Sequence, residues 1–370
     1  FFPDTEALLA ALRKGELRLS QEIVLIKGAR KFGFEALTEV LEKKVHETIL
    51  EVNLGALVEN LNYYRSLLRP GVKMTCMVKA SAYGAGSHEI AKTLQEHRVD
   101  YLAVAVADEG SELRKAGITT NILIMNPEMT AFKTMFDNHL EPEVYSFHLL
   151  DALVREAEKS GITNYPIHIK IDTGMHRLGF LPDEIPQLIE RLRAQDAVIV
   201  RSVFPHLVGS DSDCFDDSTR RQIALFEEAS GRLQAAFPHR ILRHICNSAG
   251  IGRFPDAQFD MVRLGLGLYG VDPVTNAVMH NVSSLYTTIL QIHEVPQEDT
   301  VGYSRKGVLT RPSRIAALPI GYADGLNRHL GCGRAYCLEN GRKAPYVGNI
   351  CVDDGMIDVT DRYCKEGDRV

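Results

Sequence analysis

The segment KMTCMVKASAYGAGSHEIAKTLQEHRVDYLAVAV, residues 73–106, decides the fold. It opens on an apolar run, KMTCMVK (73–79), and passes through a glycine-containing turn into SHEIAKTLQEH (87–97), which has helical periodicity. It ends on a second apolar run, YLAVAV (101–106). Short apolar runs bounded by turn residues read as buried strands, and apolar residues three and four apart read as a helix laid over them. The same unit recurs outward. After an opening strand, ILEVNL (49–54), and a helix, eight runs follow: the two above, then NILIMN (121–126), EPEVYS (141–146), PIHIKID (166–172), VIVRSVF (198–204), LRHICNS (242–248) and MVRLGLGLYG (261–270). Most neighbours are separated by helical stretches such as STRRQIALFEEASGRLQAAF. Eight alternations over residues 48–283 predict an α/β fold, a (β/α)8 TIM barrel, with a doubly wound open sheet as the alternative.

Two further regions flank the barrel. Residues 1–47 predict a helix near 5–14, a short strand at 22–27, a glycine turn and an amphipathic helix near 34–44. That is too little chain to build a core alone. From residue 284 to 370 helical patterns vanish, and short strands alternate with turn signals. Asn340-Gly341 is a strong hairpin signal. This region predicts a mostly β domain, incomplete at its C-terminus because another strand is beginning where GDRV ends.

Of the 370 residues, 45% are hydrophobic and 24% charged, with a net charge of −6. This is a soluble globular profile that gives no reason to expect nucleic acid or an anionic membrane as partner. No apolar run has the length of a membrane span. The N-terminus lacks the basic-then-apolar order of a secretory signal. Seven cysteines without paired short spacings argue against a disulfide framework or a zinc site, and point to reduced thiols in the cytoplasm.

In a barrel of this kind, working residues sit at the C-terminal ends of strands. Lys79 ends the first strand, where a buried ammonium is costly. It is either a lysine snorkelling to solvent or one that forms a Schiff base with an aldehyde. The fifth strand ends in Lys170, Asp172 and Thr173, followed by Arg177. The fork of Arg177 suits a carboxylate, or else it is a surface arginine. His206 follows the sixth strand, and His244, Asn247 and Ser248 end the seventh. Arg263 lies inside the last strand, followed by Gly265 and Gly267, and glycines there let backbone amides approach an anion. Tyr303 and Tyr322 stand in the third region, where an isolated tyrosine is usually packing. The residues thus suggest a barrel enzyme with a Schiff-base lysine, an anion site and carboxylate-binding arginines. They do not identify the reaction.

The segments MVKASAYGAG, IKIDTGMHRLGF, CNSAG, MVRLGLGLYG, VGYSRKG, IGYADG and VGNICVDDGMIDVTD occur in this order. Together, over residues 48–370, they closely resemble the alanine racemase family. The resemblance implies a pyridoxal 5'-phosphate enzyme that interconverts L- and D-alanine and supplies D-alanine for peptidoglycan. It also implies a homodimer with shared active sites. Lys79 then holds the cofactor and is one catalytic base, and Tyr303 is the opposing base from the other subunit. Tyr83, Ser248, Gly265 and Leu266 match phosphate-binding positions. Arg263, buttressed by His244, faces the pyridine nitrogen, and Asn247 falls in the same cofactor-binding set. Arg177 holds the substrate carboxylate, and His206 and Arg177 support the tyrosine base. Tyr322, Val352 and Asp353 match the substrate side. Lys170 matches a lysine that is carbamylated in some relatives, which would make it a negative partner for Arg177. No metal is implied.

The chain departs from the family pattern at Ser81, where asparagine is usual, at Ala85, where histidine is usual, at His176, where glycine is usual, and at Val352, where methionine is usual. A further phosphate-contacting tyrosine of the family lies near the C-terminus and is absent from this chain. EIVLIKGARKFGFEALTEVL, in the first region, resembles the tail of the ligase that joins D-alanyl-D-alanine to the peptidoglycan precursor. That implies a ligase–racemase fusion. Competing expectations are a serine or broader amino-acid racemase, a non-catalytic pyridoxal-phosphate-binding barrel, and a folded but inactive fragment.

Overall fold

The protein is represented by a computed structural model that describes residues 2–13, 26, 37, 41 and 48–370. The helix expected near 5–14 spans Thr5–Arg13. The strand expected at 22–27 and the helix at 34–44 lie outside the described residues, apart from single positions. Two compact units are present: Leu50–Ser284, and Phe1–Ile49 together with Leu285–Val370.

The first unit carries eight parallel strands: β1 (Lys73–Met77), β2 (Tyr101–Val104), β3 (Asn121–Ile124), β4 (Leu140–Val144), β5 (Tyr165–Lys170), β6 (Val198–Phe204), β7 (Leu242–Arg243) and β8 (Met261–Leu264). Strands β1 to β7 pair in chain order, and β8 returns to pair with β1. Between β7 and β8, the Asp260 amide donates to the Arg243 carbonyl (3.0 Å) and the Arg263 amide to the Cys246 carbonyl (2.9 Å). These bonds close the sheet, so the unit is a barrel and not a doubly wound sheet.

Helices cover the outside: α1 (Leu54–Ser66), α2 (Ser87–Glu96), α3 (Ala107–Lys115), α4 (Phe132–Asp137), α5 (Phe147–Lys159), α6 (Ile185–Arg193), α7 (Asp216–Ala235) and α8 (Ser248–Arg253). Alternation along the strands sorts side chains between two environments. Leu102, Val104, Ile122 and Ile124 face outward into a core shared with Leu94, Leu113, Leu153 and Leu188 of the helices. Met77, Tyr101, Ala103, Leu123, Phe204 and Met261 fill the barrel interior.

The expected seventh strand, LRHICNS, is only two residues long in regular pairing. The cause is Arg263. Its guanidinium takes the carbonyls of His244 (3.2 Å) and Ile245 (3.1 Å), so this backbone bends away from an even ladder.

In the second unit, β9 (Gln291–Val295), β10 (Ser313–Leu318) and β13 (Gly355–Asp358) form an antiparallel sheet in the order β9-β10-β13. Between them in sequence, β11 (Tyr336–Glu339) and β12 (Arg342–Pro345) form a hairpin. Its two-residue loop is Asn340-Gly341, both at positive φ (46° and 74°), as expected for these residues. Ile289, Ala316, Leu318, Tyr346 and Ile357 form the core of this unit.

Beyond β1 the chain makes a left-handed turn. Ala80, Ser81, Ala82 and Tyr83 all have φ between 52° and 57°. Each such residue costs about 1–2 kcal/mol relative to right-handed backbone. The turn is held by Ala82 N–H to the Val78 carbonyl (3.0 Å) and Gly86 N–H to the Ser81 carbonyl (2.9 Å).

Two sets of substitutions test this packing. A Cβ on Gly267 would lie 2.3 Å from the Tyr64 ring, whereas one on Gly231 in α7 meets open space. Gly267→Ala is expected to destabilise by roughly 1–3 kcal/mol, and Gly231→Ala to stabilise by about 0.5–1 kcal/mol, both read from urea denaturation. At exposed Ser81, asparagine tolerates the left-handed region and valine does not. Ser81→Asn should therefore raise Tm and Ser81→Val lower it.

Candidate active site

The C-terminal ends of the barrel strands open onto a cavity of about 490 Å³. Its lining includes Lys79, Tyr83, Arg177, His206, Asn247, Ser248, Arg263, Gly265 and Leu266, all of them expected site residues. The fold brings them together from β1, the β5 and β6 loops, the start of α8 and the end of β8. Lys79, half-buried, immediately precedes the left-handed turn of Ala80–Tyr83, which sets how the chain leaves β1.

The wall is strongly cationic, and His206 shows it. Its imidazole is pushed down to about 3, first by burial and then by facing Arg263, Lys170, Arg177 and Lys79. His206 is therefore neutral at physiological pH. A cavity with this field suits an anionic ligand.

One rim is built for a small anion. Asn247 caps α8 by accepting from the Gly250 amide (3.0 Å), so its side chain is committed to structure. Ser248 Oγ accepts from the Gly265 amide (2.9 Å) and the Gly267 amide (3.3 Å), leaving its own hydrogen to donate. A Cβ on Gly265 would sit 3.0 Å from the Tyr83 hydroxyl, so a larger residue would crowd this corner. Tyr83 stacks on Tyr269 at 4.6 Å, and Tyr269 donates to the Met77 carbonyl (2.8 Å). Burial pushes the Tyr83 phenol up, so it remains a donor.

Arg263 is buried within the barrel. It donates to His244 Nδ1 (2.8 Å) and to the carbonyls of His244 (3.2 Å), Pro205 (2.9 Å) and Ile245 (3.1 Å). Its guanidinium also lies 4.9 Å over the Phe204 ring. Burial lowers it to about 10, and it remains protonated at neutral pH. Lys170 is also buried, 3.5 Å from Glu143 and 4.4 Å over Phe204. Burial lowers it to about 8, against the attraction of Glu143. The acidic group in this cluster is Glu143: burial pushes its carboxyl above the usual carboxylate range, while Lys170, Arg263 and Arg177 pull it the other way.

Tyr303, Tyr322, Val352 and Asp353 lie in the β unit. Tyr303 is 66% exposed and follows Gly302 at φ 76°. Its carbonyl accepts from Asn349 Nδ2 (3.2 Å). The Tyr322 loop is bound to the 351–353 segment, with Tyr322 N–H to the Cys351 carbonyl (3.0 Å) and Ala323 N–H to the Val352 carbonyl (2.9 Å). Tyr322, Val352 and Asp353 are therefore neighbours.

Sequence reasoning missed Glu141, Glu143, His168 and Ser202. All four are buried and point inward from β4, β5 and β6. The available signal was a polar residue repeating with period two inside apolar strands, as in Glu141 and Glu143 or His168 and Lys170.

Comparison with known proteins agrees with this geometry. Residues 52–273 match the family model described as "Alanine racemase, N-terminal domain", and residues 282–370 match "Alanine racemase, C-terminal domain". Alanine racemase 2 of Caldanaerobacter subterraneus is 35% identical over 324 residues, covering 86% of this chain and 83% of that protein. The alanine racemase of Methanococcus maripaludis is 36% identical over 324 residues, covering 85% of each. Among solved structures, alanine racemase of Clostridium difficile 630 superposes with a TM-score of 0.81 at 33% identity, covering 88% of this chain and 87% of that one. Alanine racemase from Bartonella henselae, solved with covalently bound pyridoxal phosphate, gives 0.78 at 27% identity, covering 87% and 89%. With both family models matched across the barrel and the β unit, the chain belongs to the alanine racemase family.

Proposed function

We propose that this chain is a pyridoxal-phosphate-dependent alanine racemase that works as a homodimer and supplies D-alanine for cell-wall peptidoglycan in the cytoplasm. The observation that carries the reading is Lys79. It stands half-buried just before a strained turn, at a cationic cavity that Gly265 also lines. The family and its named relatives support the same activity.

The residues present fit the cofactor. Ser248, the amides of Gly265 and Leu266, and Tyr83 would hold its phosphate, and Lys79 its aldehyde. When bound, pyridoxal phosphate supplies a conjugated ring that spreads the negative charge left when the α-proton departs. Arg263 would face the ring nitrogen. A guanidinium only donates, so it cannot hand that nitrogen a proton easily, and this limits side reactions such as transamination.

Arg177 binds the substrate carboxylate through its planar fork. Lys79 Nζ moves the proton on one face of the α-carbon. The hydroxyl of Tyr303, from a second copy of the chain, moves it on the other, with His206 and Arg177 supporting it. Inversion needs bases on opposite faces, and this pair provides them. Tyr322, Val352 and Asp353 shape the substrate side. The barrel domain is assigned to 48–283 and the β domain to 284–370. Residues 1–47 are assigned as the tail of a D-alanyl-D-alanine-adding ligase in a fusion.

Borohydride treatment of the protein mixed with pyridoxal phosphate is expected to trap the cofactor on Lys79, located by peptide mapping, and the untreated complex should convert L-alanine to D-alanine. Tyr303→Phe should lower turnover by about 10²-fold or more while trapping at Lys79 persists. Failure of trapping at Lys79 would sink this reading.

Glu143 also bears on Lys170. We propose that Glu143, 3.5 Å from Lys170 Nζ, takes the place beside this lysine that a carbamate takes in some relatives, so that Lys170 is not carbamylated. Carbon-13 spectra in labelled bicarbonate should then show no carbamate, and bicarbonate should not alter activity. A bicarbonate-dependent carbamate signal lost in Lys170→Arg would reject the idea.

A further inference from the structure

A second polar feature runs through the barrel below the site. Arg263 donates to His244 Nδ1 at 2.8 Å, and His244 Nε2 lies 2.9 Å from Ser202 Oγ. Ser202 Oγ is 2.6 Å from His168 Nδ1, and His168 Nε2 is 2.7 Å from a carboxylate oxygen of Glu141. His244, Ser202 and His168 are fully buried, and Glu141 nearly so. Five residues from β4, β5, β6, β8 and the segment after β7 thus form one unbroken file of hydrogen bonds.

Donor chemistry sets the direction of every bond in this file. A guanidinium has no acceptor, so His244 Nδ1 must be bare and its proton must sit on Nε2. That proton goes to Ser202 Oγ. The hydroxyl hydrogen of Ser202 then has one remaining acceptor, His168 Nδ1. His168 therefore carries its proton on Nε2 and gives it to Glu141. The file begins on a buried cation and ends on a carboxylate, so its bonds polarise one another in the same sense. Burial and Arg263 hold His244 well below the ordinary imidazole value, which keeps it neutral.

We propose that Glu141, His168 and Ser202 are positioning residues for Arg263. They act through His244, locking it in the Nε2–H tautomer so that its bare Nδ1 faces the guanidinium. The lock matters because a flipped His244 would aim N–H at N–H and turn the guanidinium away from the cavity. Glu141 also borders a separate cavity of about 620 Å³ at the N-terminal ends of the strands, lined by Asn121, His139 and Tyr165 among others. The file therefore joins the cofactor side of the barrel to its far end. The inference about Arg263 rests on the racemase reading, whereas the tautomers do not.

The first test is nitrogen-15 spectroscopy of histidine-labelled, cofactor-free protein, with His168 and His244 assigned by their loss in His168→Asn and His244→Asn. Both rings should be neutral with the proton on Nε2. A proton on Nδ1 of His244, or an imidazolium there at pH 7, would overturn the proposal. The second test compares Ser202→Ala with Ser202→Thr. The alanine variant should lose about tenfold in kcat with little change in KM for L-alanine, and threonine should restore most of it. A fall in Tm with kcat unchanged, or equal losses in both variants, would leave the file with a structural role only. If the unsubstituted protein turns over no L-alanine, the racemase reading fails and the tautomer result still stands.

Discussion

A guanidinium buried inside a barrel must find donors' partners on every side, and that requirement organises this molecule. Arg263 meets it with three backbone carbonyls and one imidazole nitrogen. An unpaired buried charge costs several kcal/mol, so these partners are held in place by more than their own bonds. The carbonyls come from the segment that leaves β6 and from the segment that follows β7. The shortness of β7 and the tautomer of His244 both follow from one side chain. Phe204 completes the arrangement by presenting its ring to both Arg263 and Lys170.

The same interior explains why the cavity is cationic without being torn apart. Lys170 and Arg263 are buried with Glu143 close by, so the cluster is paired below the surface. Lys79 and Arg177 stand above it, on the cavity side. His206 stays neutral because burial, and then the surrounding cations, disfavour its charged form. Positive potential is thus available to an incoming anion, with Glu143 the acidic group beside Lys170 and Arg263.

Much of this was legible in the sequence. Apolar runs spaced by helical stretches are local patterns, and they located all eight barrel strands and the β hairpin at Asn340-Gly341. The strand ends were legible too, because Lys79, Arg177, His206, Ser248 and Arg263 are polar residues where apolar ones are expected to stop. The left-handed turn was not. Ala80, Ser81, Ala82 and Tyr83 contain no glycine, and only the packing around them imposes positive φ. Glu141, Glu143, His168 and Ser202 were hidden for another reason. Their meaning lies in cross-strand pairing, as where Glu143 sits opposite His168 and His168 opposite Ser202, and such pairs cannot be read along one strand.

The seam between β7 and β8 has a consequence for descent. Arg263 serves there both as a lining residue of the cavity and as the partner of carbonyls that would otherwise be stranded. A lineage drifting toward other chemistry cannot exchange this arginine for an acid without stranding the buried carbonyls of Pro205, His244 and Ile245. Innovation at this position is therefore throttled by architecture, and descendants are expected to diversify through the loops and the β unit instead.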